Sequence, residues 1–352
     1  MLNVFLKVDP PIRLPVFIIF LFNPISLSAD SLQRLFKQVN PSVVLVTAEQ
    51  RDISGIPGDR RPVLTQQVGT GVLISKQGLV VTASHVVHTA DRVIVQFLDG
   101  KKIRARIIRT EPEADLALLK LKLVPKQATV ASLANSDSTK TGEQVFVIGA
   151  PYGVGHSITS GIISARHNAG EINNRIPLGE LFQTDTAINV GHSGGPLFNM
   201  NGEVIGIISH ILSMSGGYDG IGFAVTSNTV KELLMSSNSI WTGLQGYPLD
   251  ETLASIFNLP QAGGLLVEKV AKGSISHRLG LKAGAVNAKI EGKSMIVGGD
   301  IVLGIMDIPL HGENYQAKVR ERMGQLIKGD KIYVQVLRKG EVIWLSTDYS
   351  RQ

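Results

Sequence analysis

Between Ser42 and Ala224 the apolar positions come in short runs rich in Val, Ile and Thr, broken by Gly, Pro, Asn and Asp. The pattern predicts strands over Val43–Thr47, Val68–Ile74, Leu79–Thr82, Val93–Phe97, Ile103–Arg109, Leu116–Leu121, Val145–Ile148, Ile158–Ser164, Val204–Ser209 and Ile221–Val225. Strands this short and closely spaced fit antiparallel barrels or sandwiches rather than a doubly wound sheet. Up to residue 239, helical patterning is confined to Ser31–Val39 and to Asn228–Met235, the latter capped by Ser227. The small polar stretch Ser236–Ser239 reads as a linker. A second unit follows, about 240–350, with further strands and helical patches at Ser274–Leu279 and Glu313–Ile327.

Composition narrows the class. The 352 residues suffice for two or three domains. Net charge is +6, and Lys and Arg are scattered apart from pairs such as Arg60-Arg61 and Lys101-Lys102. That is a solvated surface, not a nucleic-acid stripe, although the mild positive charge is compatible with peripheral contact at an anionic envelope surface. With no cysteine, thiolate metal sites and Cys nucleophiles are excluded. Lys7 and Arg13 bracket the approach to an apolar run, Leu14–Phe22, and small residues follow at Ser26, Ser28 and Ala29. Residues 1–29 therefore read as a secretory signal peptide cut near Ser28–Ala29. The alternative is an uncleaved anchor, but this run falls well short of the roughly 20 residues that span a bilayer.

The candidate chemistry centres on Gly191-His192-Ser193-Gly194-Gly195-Pro196. Serine between glycines marks a nucleophile on a tight turn, where backbone N–H groups can reach an oxyanion. The spacing fits two designs: the nucleophile elbow of α/β-hydrolases, with acid and His following Ser, and the order His, Asp, Ser. His85 follows a predicted strand through the small residues Ala83 and Ser84, and Asp115 opens another. Both precede Ser193. The hydrolase order would need a later histidine, an acid between and helices between the upstream strands; His277 and His311 lie in the second unit, and the helices are missing.

Thr82–Val87, Asp115–Leu119, Gln183–Asn189, Gly191–Asn199 and Gly220–Val225 closely resemble segments of the HtrA family (DegP/DegS-like) of exported serine proteases. The resemblance covers about Ser31 to Ser350. It implies a mainly β fold: a chymotrypsin-like double β-barrel protease domain over residues 30–237, followed by an α+β PDZ domain over residues 238–350. It assigns Ser193 as nucleophile, His85 as general base and Asp115 as orienting carboxylate, with backbone N–H groups of Gly191, His192 and Ser193 as the oxyanion hole. No metal or cofactor is implied. The chain departs from the family at Val190 and His192, where Pro and Asn are usual; His192 is expected to face solvent. His88 is expected at the surface.

Ala187–Ser193 and Ser209–Gly217 should wall the substrate pocket, through Ser209, His210 and Ile211, with His210 equally suited to a structural role. His167–Glu180 reads as a long Gly- and Asn-containing loop, for which the resemblance implies a regulatory role, and Arg51–Gln66 as an insertion. In the second unit, Trp241-Thr242-Gly243-Leu244 resembles a loop whose N–H groups hold a peptide C-terminal carboxylate. A strand beside Leu244–Tyr247 and a helix near Asn314–Met323 would flank the peptide, and the extra piece Ala285–Gly299 should form a hairpin. The resemblance further implies a periplasmic, ATP-independent endopeptidase acting on unfolded polypeptide, a homotrimer or multiple of it, with no nucleic-acid partner. Phe36 is an interface or core residue. The competing reading is a non-proteolytic chaperone or PDZ adaptor with an idle site.

Overall fold

In the computed structural model, residues 27–54, 61–150, 153, 155–172, 178–211 and 218–350 are described. Six antiparallel strands close the first barrel in the order β1-β2-β3-β6-β5-β4: β1 (Val43–Ser54), β2 (Arg61–Leu73), β3 (Leu79–Ala83), β4 (Arg92–Gln96), β5 (Lys102–Glu111) and β6 (Leu116–Leu121). Six more close the second in the order β10-β11-β12-β9-β8-β7: β7 (Gln144–Gly149), β8 (Ser157–His167), β9 (Leu181–Thr184), β10 (Pro196–Asn199), β11 (Val204–Ile211) and β12 (Gly222–Thr226). All ten predicted strands form. The two that the pattern missed, β9 and β10, have four residues each, too few to show a period.

Each barrel has its own core, and a third cluster joins them. Val43, Val72, Leu116 and Leu118 of the first barrel pack with Phe146, Ile148, Phe198 and Ile207 of the second. The Phe146 and Phe198 rings stack at 5.1 Å. Helix α1 (Leu27–Val39) lays Leu32, Leu35 and Phe36 on this cluster, which gives Phe36 a core role. The helix begins upstream of Ser31, so the expected cleavage point falls within it; residues 1–26, which hold most of the expected signal peptide, lie outside the described residues. No described helix is long and apolar enough to cross a membrane.

Two local expectations change. Most of Arg51–Gln66 is strand: β1 and β2 stay paired out to Ser54 opposite Arg61. The cap after β12 is Thr226, whose extended backbone lets its hydroxyl accept from Thr229 N–H; α3 (Ser227–Val230) then widens into a looser turn through Ser236. The predicted linker is fastened there, with Ser239 Oγ donating to Leu233 O at 3.1 Å.

The C-terminal unit is a sheet in the order β13-β14-β17-β19-β20, with a short β18 on β17. Its strands are β13 (Leu244–Leu249), β14 (Gly264–Val270), β17 (Ile301–Ile305), β18 (Ile308–Pro309), β19 (Lys331–Arg338) and β20 (Glu341–Asp348). The expected hairpin in Ala285–Gly299 forms as β15 (Val286–Ile290) and β16 (Lys293–Val297). Helices α4 (Glu251–Ile256), α5 (Ile275–Leu279) and α6 (Tyr315–Gly324) complete it.

Candidate active site

The site forms where the ends of β3 and β6 meet the turn that precedes β10. The register pairs Ala83 with Leu116, so the residues just beyond these paired ends are neighbours. His85 lies in the single helical turn α2 (Ser84–Val87) after β3. Asp115 lies one residue before β6 in the left-handed region, at φ 54° and ψ 40°. This conformation costs on the order of 1 kcal/mol for a non-glycine residue, and Asp tolerates it better than most.

Asp115 collects donors. His85 N–H donates to Oδ1 at 3.0 Å, His85 Nδ1 lies 2.9 Å from Oδ2, and Ser209 Oγ donates to Oδ2. The carboxylate is 13% exposed and the imidazole 46%. Burial pushes the Asp115 carboxyl up, but the His85 bond and charge and the Ser209 bond together outweigh it and hold the group below its ordinary value. For His85 burial pulls down, and the Asp115 bond and charge overcome it, raising the imidazole above 6.5. With Nδ1–H on the carboxylate, Nε2 is the free base position.

The Ser193 turn is held from both barrels. Gly191 and Gly194 adopt φ of 100° and 83°, and a Cβ on Gly194 would lie 2.3 Å from Thr70 O, so only glycine fits there. Gly194 N–H donates to Ile208 O at 2.7 Å. From β2, Thr70 N–H donates to Ser193 O at 2.8 Å and Thr70 Oγ1 to Gly191 O at 2.6 Å. Among the described residues the N–H groups of Gly191 and Ser193 meet no acceptor. Ser193 Oγ donates to Ser209 O at 3.2 Å, not to His85.

His192 departs from expectation twice. Its N–H donates to Asn189 O at 3.0 Å, so it is not a spare oxyanion donor. Its ring is 2% exposed rather than solvent-facing, because the turn folds it over Gly149, where a Cβ would come within 2.7 Å of the ring. Nδ1 lies 3.1 Å from Asn189 O, and Nε2 is buried without a partner among the described residues. Burial lowers its pKa.

Sequence reasoning missed Thr70 and the bond from Ser209 to Asp115. A signal for the first exists in Gly69-Thr70-Gly71, small residues interrupting an apolar strand; a Cβ on Gly69 would lie 2.9 Å from Ser193 O. Of the expected pocket residues, Ser209 is buried between Asp115 and Ser193, and His210 stacks on Phe223 at 5.2 Å. Ile211 ends β11; its side chain, residues 212–217 and residues 173–177 of the expected regulatory loop lie outside the described residues.

Comparison with known proteins bears on this geometry. Residues 69–207 match the model of the trypsin-like peptidase domain. A probable periplasmic serine endoprotease, DegP-like, of Pseudomonas fulva is 38% identical over 242 residues, covering 67% of this chain and 50% of the relative. Its counterpart in Pseudomonas putida (strain GB-1) is 32% identical over 345 residues, covering 87% of this chain and 67% of the relative. The chain belongs to the DegP-like, HtrA-type serine endoproteases. It spans half to about two thirds of the length of these curated relatives. A solved variant of the HtrA-type protease AlgW with a decapeptide is 27% identical, with a TM-score of 0.54, covering 90% of this chain and 96% of that one.

The C-terminal unit of this HtrA-type chain builds a second cleft, of about 480 Å³, between β13 and α6. Among the described strands β13 pairs only with β14, which leaves its outer edge without a strand partner. Leu244, Leu265, Val319 and Met323 line the groove, and Glu111 and Glu113 of the first barrel face it. Arg320 of α6 reaches both carboxylates. Thr242 N–H and Gly243 N–H meet no acceptor among the described residues, whereas Trp241 is buried against the barrel, its indole N–H donating to His88 O at 2.7 Å. His88 is not at the free surface: its Nε2–H donates to Leu244 O at 2.8 Å and Nδ1 lies 3.0 Å from Thr110 Oγ1. The helical turn that bears His85 is thereby tied to the edge strand. No group of three or more His, Asp or Glu side chains gathers as a metal site among the described residues.

Proposed function

We propose that the chain is an exported serine endopeptidase that cleaves unfolded polypeptide through an acyl-enzyme. The observation that carries this reading is the bonded set His85, Asp115 and Ser209 facing a serine with two unsatisfied backbone N–H groups beside it. Ser193 Oγ turns from Ser209 O towards His85 Nε2 and attacks the substrate carbonyl while His85 takes its proton. Asp115 stabilises the imidazolium. The N–H groups of Gly191 and Ser193 receive the oxyanion. His85 protonates the leaving amine as the C–N bond breaks; water then enters and the same proton transfers release the acid and restore the serine. The freed Ser209 carbonyl accepts a backbone N–H of the bound substrate.

Residues 30–237 act as the protease domain and residues 238–350 as a PDZ domain. In the second, a peptide C-terminus adds as a strand on β13, its carboxylate on Thr242 N–H and Gly243 N–H. The location is the periplasm, in keeping with the names of the relatives, after removal of residues 1–29, and the assembly is a homotrimer or a multiple of it. Casein digestion by the wild type and by Ser193→Ala tests the reading: digestion by both proteins, or by neither, overturns it. An adaptor with an idle site has no use for the two unpaired N–H groups at the serine.

A further inference from the structure

The cations that look scattered along the sequence gather on one face of the first barrel. Along β5, Lys102, Arg104 and Arg106 occupy alternate exposed positions, while Ala105 and Ile107 between and beyond them are buried. The register places Arg106 directly opposite Lys120 of β6, and exposed Lys122 follows where β6 ends. Arg104, Arg106, Lys120 and Lys122 of this face, with Arg92, floor a cleft of about 600 Å³ walled by Trp241, Lys272 and Gly273 of the C-terminal unit. It shares no residue with the groove between β13 and α6.

Of the cations in the cleft, Arg92 pairs with Glu49 at 3.7 Å, but most of the charge has no acidic partner among the described residues. Among the described residues Lys102, Arg104, Arg106, Lys122 and Lys272 form no ion pair. Lys120 Nζ donates only to Gln77 O. The one carboxylate in the cleft, Asp91, already accepts Lys272 N–H at 2.7 Å and Arg51 N–H at 3.3 Å. Like charges directly opposed on neighbouring strands are destabilising, so this face carries a cost that an external anion would relieve.

We propose that this cleft is a docking site for an extended, acid-rich segment of polypeptide. Two observations select that ligand. Alternate side chains of a strand repeat about every 6.6 Å, so carboxylates at alternate positions of an extended segment match the interval of Arg104 and Arg106, with Lys120 beside Arg106 on the next strand. The cations lie in a cleft walled by Trp241, Lys272 and Gly273 rather than on a flat face, which suits a single extended chain better than a flat lipid surface. The stems of the arginines and the indole edge of Trp241 give the methylenes of Asp and Glu an apolar bed.

The test is fluorescence anisotropy of a short labelled peptide alternating Glu and Ser, added to the full-length Ser193→Ala protein. Binding should weaken as salt rises. The reversal Arg104→Glu, Arg106→Glu, Lys122→Glu should weaken it about tenfold or more, while Lys140→Glu, Lys289→Glu, Lys331→Glu, with the same change in net charge, should leave it nearly unchanged. The milder pair Arg104→Gln, Arg106→Gln keeps the comparison valid if the reversal fails to fold. Equal weakening by both triple variants would overturn the proposal, as would absence of binding. So would displacement of the peptide by millimolar inorganic phosphate or by phosphatidylglycerol vesicles, which would point to a compact anion or to a membrane.

Discussion

The two barrels contribute unequal halves to the candidate site. The half from the first barrel, His85 and Asp115, is bonded throughout, and Ser209 of the second barrel adds a further donor to Asp115. The half from the second is fixed in its backbone, through Thr70 and Ile208, but its hydroxyl points to Ser209 O and the neighbouring Val190 is 67% exposed. The candidate base is held by its hydrogen bonds, whereas the hydroxyl of the candidate nucleophile is engaged with a different acceptor. A serine hydroxyl is re-aimed by rotation about a single Cα–Cβ bond, so a substrate that claims Ser209 O would release it.

This contrast can be broken by mutation, and the largest effect is expected at the nucleophile. Ser193→Ala should lower turnover of a peptide substrate by about 10⁶-fold; a loss of only tenfold would mean that another group attacks. Asp115→Asn should lower kcat by about 10⁴-fold, since an amide can hold the wrong imidazole tautomer. The wild-type pH profile should rise as His85 loses its proton, with a midpoint above 6.5 because Asp115 stabilises the charged ring. In residual Asp115→Asn activity that midpoint should move down; an unmoved midpoint would show that the carboxylate does not set it.

Thr70→Val tests the backbone side of the comparison. Losing the bonds to Gly191 O and from Ala150 N should reduce kcat by roughly tenfold to a hundredfold through misplacement of the turn, with KM little changed. An equal loss in KM would shift the role of Thr70 from positioning to substrate binding. The smallest effect is expected at His192. Burial lowers its pKa in the folded chain, so the unfolded chain binds the proton more readily and stability falls as pH drops below about 6.5. His192→Asn should narrow the difference in Tm between neutral and mildly acidic pH; an unchanged difference would show that the ring does not titrate on unfolding.

The sequence was most legible where chemistry and pattern coincide. Short Val- and Ile-rich runs specify strands because β-branched side chains fit a pleated, half-buried surface, and the glycines around Ser193 mark a turn that L side chains cannot follow. His85 and Asp115 were found because each sits at the end of such a run. Thr70, marked only by its flanking glycines, and the bond from Ser209 to Asp115 escaped because the role of a polar residue inside a strand depends on its partner across the molecule. His192 and His88 were misplaced for a related reason: a histidine suits either surface or interior, and the packing around Gly149 and Leu244 decides which.

By itself the sequence determined the strand-rich class and the order of the candidate catalytic residues, because these depend on side-chain type and local spacing. The tertiary structure alone decided which donors remain unpaired at Ser193, that Ser209 holds Asp115, that His88 bridges the barrel to β13, and that dispersed cations form one face. Register is the reason. Whether two residues distant in the chain meet depends on how neighbouring strands are aligned, and a shift by a single residue would turn Arg104 and Arg106 inward and Ala105 and Ile107 out.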